Sequence, residues 1–225
     1  MFDAVFDTFT PQLLELFATS LWETVVMVGI SGVAGALIGV PLGVFLRLTD
    51  YGGVLENGPL NKTVGWIVNA ARSTPFIILL VAIIPLTRAI VGSSIGTAAA
   101  VVPLTLAVAP FMARLVETAL REVDNGLVEA AQSMGATTSQ IVWKVLLPEA
   151  MPGIVAGLTI SFVSLTGYSA MAGAVGGGGL GDLGIRYGYQ RFLPDVMLAV
   201  VVILIFFVQA IQSVGDWAVR RLSHR

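Results

Sequence analysis

Five long apolar stretches recur along the sequence, and this pattern restricts the possible folds more than any other feature. Each stretch is close to the roughly 20 residues that an α-helix needs to cross the hydrocarbon core of a bilayer. The stretches lie at residues 20–46, 64–90, 95–117, 150–175 and 194–218. Only short connections remain in a chain of 225 residues. We therefore predict an all-α integral membrane protein, with five transmembrane helices in a single domain over residues 1–225.

Composition agrees with a membrane location and excludes several classes of function. Hydrophobic residues make up 56% of the chain and charged residues 12%, and the mean hydropathy is +0.89, far more apolar than a soluble domain. With a net charge of −2 the chain lacks the basic surface that binds nucleic acid. It has no cysteine, and its single histidine, His224, lies in the tail. Membrane lipid is the partner that this composition predicts.

The positions of the basic residues predict the orientation, because Lys and Arg are enriched in cytoplasmic connections. One side of the five-span scheme holds Arg47, Lys62, Arg114, Arg121, Lys144, Arg220, Arg221 and Arg225. The other side holds Arg88, Arg186 and Arg191, together with the acidic N-terminus that includes Asp3 and Asp7. We expect the C-terminus in the cytoplasm and the N-terminus outside. Since no Lys or Arg precedes Arg47, we expect the first span to be retained rather than cleaved as a signal peptide.

Small residues and prolines predict where helices pack closely and where they break. A four-residue repeat puts one small face on the first span, which allows a neighbouring helix backbone to approach: Ser31, Gly35, Gly39 and Gly43. Four prolines remove backbone donors inside apolar spans and predict kinks: Pro75, Pro85, Pro103 and Pro110. Broken helices suit a gated pathway, although proline is also common in transmembrane helices in general.

The longest polar connection, about residues 118–148, is predicted to form a cytoplasmic helix-turn-helix between the third and fourth spans. One helical face combines Leu127, Ala130, Ala131 and Met134. Gly135 then permits a turn, and a second amphipathic stretch contains Ile141, Val142, Val145 and Leu146. Pro148 is expected to end the regular helix. The alternative is an amphipathic helix resting on lipid headgroups, but such helices usually carry more Lys and Arg.

The residue spacing of this segment resembles the EAA motif of ABC importer permeases. Glu129-Ala130-Ala131 is followed by three residues, Gly135, nine residues, Val145, one residue and Leu147-Pro148. The resemblance implies the type I ABC importer permease fold, with a coupling helix that docks on a partner ATPase. It assigns ATPase coupling to Glu129, Ala130, Ala131, Gly135, Val145, Leu147 and Pro148. Small alanines would permit close docking, and Glu129 would offer a carboxylate to a basic partner.

Further runs are similar to the methionine-importer branch of this family, at residues 72–80, 102–105, 168–173 and 178–184. That resemblance implies a homodimer in the bacterial inner membrane, two copies of a cytoplasmic ATPase that bind ATP and Mg, and an extracytoplasmic substrate-binding protein. It implies no catalytic residue, cofactor or metal on this chain. Another amino acid or small polar solute is the alternative substrate.

The fourth span carries the residues that we predict for the translocation path or gate, namely Tyr168, Ser169 and Met171. Family resemblance places this span beside the central path of the dimer, and methionine offers a flexible apolar plug. The alternative is that a tyrosine and a methionine in a transmembrane helix only fill a core.

The sequence contains one motif of a different function, and it lacks the features of two other classes of membrane protein. Residues 179–184 match the dinucleotide fingerprint G-x-G-x-x-G, but that motif needs a βαβ unit, so we predict an external glycine-rich loop. A membrane-embedded enzyme would need clustered carboxylates or histidines within the spans. A stand-alone ion-coupled secondary transporter, the alternative from another class, would show inverted repeats and a mid-membrane ionisable residue. The sequence shows no such cluster, no inverted repeat and no mid-membrane ionisable residue.

Overall fold

A computed structural model describes residues 10–223, all of whose regular elements are helical. The predictions that concern the N-terminus with Asp3 and Asp7, and those that concern His224 and Arg225, lie outside the described residues.

Ten α-helices follow one another within residues 10–223. In chain order they are α1 (Pro11–Thr49), α2 (Gly58–Ser73), α3 (Phe76–Ala82), α4 (Ile84–Val91), α5 (Thr97–Arg121), α6 (Asn125–Ser133), α7 (Thr138–Ile141), α8 (Leu147–Ala172), α9 (Gly179–Leu183) and α10 (Pro194–Leu222). Three π-helical segments adjoin them, at Val142–Leu146, Gly173–Gly177 and Gly184–Tyr189. The all-α prediction is confirmed for this part of the chain.

Four of the predicted spans correspond to helices long and apolar enough to cross a membrane: α1, α5, the stretch Thr138–Gly177 and α10. A fifth exists only if α2 and α3 are counted as one broken span. The second predicted span is therefore not one helix. Thr74, which precedes Pro75, has the extended backbone (φ −75°, ψ 124°) that a following proline favours, and α3 begins directly after that proline.

The other prolines differ in their effect. Pro85 lies in the first turn of α4, where a missing N–H group removes no helical hydrogen bond. Pro103 and Pro110, for which we predicted kinks, lie inside the continuous helix α5. Pro75 and Pro85 thus coincide with the starts of helices, whereas α5 continues through Pro103 and Pro110.

The described residues divide into two compact units, and the long helices contribute to both. The first unit contains Pro75–Leu106, Phe162–Ile211 and the described residues up to Gly32. The second unit contains Val33–Thr74, Ala107–Ser161 and the described residues from Gln212 onward.

In the second unit, the small face of α1 packs directly on α5. A Cβ atom added to Gly39 would lie 2.7 Å from the carbonyl oxygen of Ala109, and one on Gly43 would lie 2.5 Å from that of Ala113. The predicted close approach of two helix backbones is confirmed at these glycines.

In the first unit, the predicted external loop at residues 179–184 is wrong: this segment begins as helix α9, and Leu180 and Leu183 are buried. The carboxylate of Glu23 accepts a 2.6 Å hydrogen bond from the N–H of Gly179. The hydroxyl of Thr24 accepts one of 2.9 Å from the N–H of Leu180. Gly179 has a φ of +76°, and a Cβ atom there would lie 2.7 Å from the Thr24 hydroxyl oxygen, so glycine is needed for both conformation and space.

Candidate functional site

The segment predicted as a helix-turn-helix has that geometry. Asp124 caps α6, its side chain accepting a 2.8 Å hydrogen bond from the N–H of Gly126. Gly135 makes the turn with a φ of +77°, a backbone conformation that costs glycine little. Thr137 and Gln140 then form a reciprocal capping box that begins α7. We call residues 125–146 the helix-turn-helix segment.

The first helix of this segment has a buried face and an exposed apolar face. Val128 and Ala131 are buried in a core with Ile141 and Leu146. Leu127, Ala130 and Met134 are exposed on the other side, and Met134 is 82% exposed. The single face that we predicted is therefore split, and Ala131 lies inside the chain rather than on a docking surface. Its small size allows α6 to approach this core closely.

The second half of the segment matches its predicted amphipathic pattern. Ile141, Val142 and Leu146 are buried, and Val145 and Leu147 pack against the same core. The predicted end of regular helix at Pro148 is instead a π-helical turn at Val142–Leu146, after which α8 begins. Pro148 lies in the first turn of α8, where its missing N–H is tolerated.

This core also includes the ends of three long helices. Val116 and Leu120 come from α5, Ala150 and Ile154 from α8, and Val44 of α1 packs against them. The helix-turn-helix segment is therefore packed on these helix ends and is not a free loop.

Acidic residues lie on the first helix of the segment and beside it, while Lys144 is exposed on its second half. Glu129 is exposed on α6, and its carboxylate forms no salt bridge with any residue between 10 and 223. A recess of about 440 Å³ beside α6 is lined in part by Glu122, Asp124 and Glu149, with Pro148 at its edge. Such a surface suits a partner that presents basic side chains.

A buried charge network lies nearby in the second unit, and our sequence analysis missed it. Glu117 is only 2% exposed and receives Arg114 at 2.6 Å and Arg121 at 2.7 Å. Arg121 also pairs with Asp50 at 2.8 Å, and Arg114 donates a 2.7 Å hydrogen bond to the carbonyl of Gly65. The spacing of the three residues at i, i+3 and i+7 on one helix was the signal that could have revealed it.

The residues predicted for a path or gate do not share one environment in the first unit. Tyr168 is half-buried and stacks on Phe76, with ring centroids 5.0 Å apart and planes at 13°. Ser169 is buried, and its hydroxyl donates a 2.8 Å hydrogen bond to the carbonyl of Thr166. Met171 is 49% exposed. Ser169 therefore faces the interior of the chain, whereas Met171 lies on its surface, and the path role of the three residues stays a prediction.

The long apolar helices and the packed helix-turn-helix segment agree with the class of importer permeases that work with a separate binding protein, and comparison with known proteins shows that class. The family model described as "binding-protein-dependent transport system inner membrane component" matches residues 39–225. The chain belongs to this family and has the type I ABC importer permease fold.

Individual relatives extend this likeness over almost the whole chain. A probable D-methionine transport system permease protein of Vibrio cholerae is 58% identical over 211 residues, which is 94% of each chain. The D-methionine transport system permease protein of Escherichia coli K12 is 55% identical over 72% of this chain and 74% of its own. A chain in an inward-facing structure of the MetNI methionine ABC transporter is 51% identical, with a TM-score of 0.94 over 96% of this chain and 100% of the other.

Proposed function

We propose that this chain is the permease subunit of an ABC importer for methionine. The observation that carries the proposal is the 51% identity, over 96% of the chain, to a subunit of the MetNI methionine ABC transporter. An importer for another amino acid or small polar solute is not favoured, because the similar permeases are named for D-methionine transport. A stand-alone ion-coupled carrier is not favoured, since the family works with a binding protein.

In this proposal two copies of the chain surround the path and each docks one cytoplasmic ATPase, which binds ATP and Mg. A substrate-binding protein delivers methionine from outside, and this chain hydrolyses nothing. The protein lies in the bacterial inner membrane with its N-terminus outside and its C-terminus inside.

The charge distribution between the two units supports this orientation. The described basic residues that we assigned to the cytoplasmic side all belong to the second unit: Arg47, Lys62, Arg114, Arg121, Lys144, Arg220 and Arg221. Those assigned to the outside all belong to the first unit: Arg88, Arg186 and Arg191. By the positive-inside rule, the basic residues of the second unit support a cytoplasmic location for the helix-turn-helix segment.

The coupling role is divided among the motif residues by their burial. Glu129, with the exposed stripe of Leu127, Ala130 and Met134, docks in a groove of the ATPase. Ala131, Val145 and Leu147 hold the segment to its core, while Gly135 makes the turn and Pro148 begins the span. When the ATPases close, α6 is displaced, and the shared core transmits the movement to α1, α5 and α8.

The test of this function is uptake of labelled methionine by cells without the gene, complemented by variants. We expect the intact gene to restore uptake. We expect Glu129→Lys to abolish it, because the charge offered to the ATPase is reversed. Glu56→Lys is the matched control, an exposed carboxylate in the same unit but outside the segment. Normal uptake with normal assembly in Glu129→Lys would contradict the docking role. If deletion leaves uptake unchanged, methionine is the wrong substrate.

The proposed gate is tested separately, at Met171. Its exposed, flexible side chain is the one member of the predicted trio free to close a path in this conformation. We expect Met171→Ala to raise the basal ATP hydrolysis of the assembled transporter, and Leu198→Ala, which truncates another exposed apolar side chain of the same unit, to leave it unchanged. Equal basal hydrolysis in the two variants would remove Met171 from the gate.

A further inference from the structure

Arg47 is a buried cation without a carboxylate partner among residues 10–223. It lies in the last turn of α1 and is 8% exposed. No salt bridge joins it to a described acidic side chain. Its guanidinium donates hydrogen bonds from Nε to the carbonyl of Leu120 at 3.4 Å and from Nη2 to Oδ1 of Asn125 at 3.0 Å. Burying a charge on neutral acceptors is costly, and an apolar side chain would serve stability alone at least as well.

The two acceptors lie on either side of the junction between α5 and α6. Leu120 is in the last turn of α5, whose terminal carbonyls lack helical donors and carry the negative end of the helix dipole. Asn125 is the first residue of α6. One side chain from α1 thus contacts the end of a span and the start of the helix that bears Glu129.

The apolar core cannot supply the same link. Val44 and Leu48 of α1 also pack against that core, and these contacts transmit movement, but dispersion contacts are non-directional and do not fix the register of α6. Hydrogen bonds from a planar guanidinium fix direction and distance. The bonds to Leu120 and Asn125 therefore set the register of the first turn of α6 against α1 and α5.

We propose that Arg47 is a positioning residue that ties the first turn of α6 to the ends of α1 and α5, so that displacement of α6 by the ATPase moves both spans. This inference rests on the proposed function of the helix-turn-helix segment. It assigns to Arg47 a part in coupling that lies outside the motif residues.

The experiment measures methionine transported per ATP hydrolysed, in the complete transporter reconstituted in vesicles with its ATPase and binding protein. Arg47→Met keeps the apolar stem and removes the donors. In Arg47→Met we expect the methionine transported per ATP hydrolysed to fall about tenfold, which is the effect of losing roughly one hydrogen bond to a charged group. The ATPase should still co-purify with this variant. Asn125→Ala should lower the ratio by a smaller factor. Asn125→Asp, which offers Arg47 a carboxylate, should keep the wild-type ratio. Arg220→Met is the matched control, an exposed arginine in the same unit.

A double variant separates positioning from general damage. If Arg47 acts through Asn125, the pair Arg47→Met with Asn125→Ala should be no worse than Arg47→Met alone, since coupled residues are non-additive. Additive losses, or a wild-type ratio in Arg47→Met, would overturn the proposal. If Arg47→Met fails to accumulate, Asn125→Ala decides, because it changes an exposed side chain; a wild-type ratio there overturns it.

The failure of the proposed function would be recognised independently. If Glu129→Lys uncouples transport while Arg47→Met does not, the docking surface stands and only the role of Arg47 is lost. If Glu129→Lys leaves both assembly and the transport ratio intact, the docking surface is wrong and the inference falls with it.

Discussion

Substitution of Gly43 by alanine tests the packing of α1 on α5 most directly. The added Cβ would lie 2.5 Å from the carbonyl oxygen of Ala113 and 2.8 Å from Cβ of Val116. Both are atoms that no side-chain rotation can move. Carbon atoms in contact prefer separations of about 3.5–4.0 Å, so the helices must separate locally.

The size of the effect follows from two opposing contributions. Overpacking a dense interior costs about 1–3 kcal/mol, whereas alanine in place of glycine within a helix gains about 0.5–1 kcal/mol. Gly29→Ala isolates the gain, because nothing lies within 4 Å of the Cβ position at Gly29 in the same helix. The difference between the two variants is therefore the overpacking cost alone. For a chain of this size, about 1–3 kcal/mol corresponds to roughly 2–12 °C in melting temperature.

Thermal unfolding of the purified chain in detergent, followed by the fluorescence of its four tryptophans, measures this difference. We expect Gly29→Ala to melt at or slightly above the wild-type temperature and Gly43→Ala below it. If Gly43→Ala melts with or above Gly29→Ala, the helices are not in backbone contact at this glycine, and the reasoning from the Cβ distances is refuted.

Three further changes have defined outcomes. Glu117→Gln removes the buried charge that Arg114 and Arg121 both contact and should lower the free energy of unfolding by about 3 kcal/mol; the same change at the exposed Glu56 should have little effect. Thr137→Ala removes half of the capping box and should cost about 1 kcal/mol, seen as faster amide exchange in α7 with no change in α5. Glu23→Gln should speed exchange of the Gly179 amide, since a hydrogen bond to a charged acceptor is about twice as strong as a neutral one; an equal effect from Glu15→Gln would contradict this.

Features that depend on local periodicity were predictable from the sequence. Apolar length identified four helices that are long enough to cross a membrane, although not the break in the second predicted span. The four-residue repeat of small residues identified the face of α1 that meets α5. The turn at Gly135 was predictable because glycine alone adopts a positive φ at little cost. In each case the residues that determine the structure are close together in the chain.

Features that depend on distant partners were not predictable. The glycine-rich composition of residues 179–184 suggests a loop. The side chains of Glu23 and Thr24 instead accept hydrogen bonds from the N–H groups of Gly179 and Leu180, at the start of a buried helix. Arg47 suggests only an orientation signal at the end of a span, because Asn125 is 78 residues away. Ala130 and Ala131 could not be separated because the exposed and buried faces of α6 are both apolar, so amphipathicity does not show which face is turned inward.

The hydrogen bond between Glu23 and the Gly179 amide also constrains biosynthesis. It joins residues that are 156 positions apart, so the ribosome has made most of the chain before the bond can form. Until then, the first segment to enter the bilayer carries a carboxylate whose amide donor does not yet exist. A chain that stops before Gly179 keeps that carboxylate unpaired, at a cost of several kcal/mol in an apolar environment. The hydrogen bond that stabilises the finished protein therefore becomes available only late in synthesis.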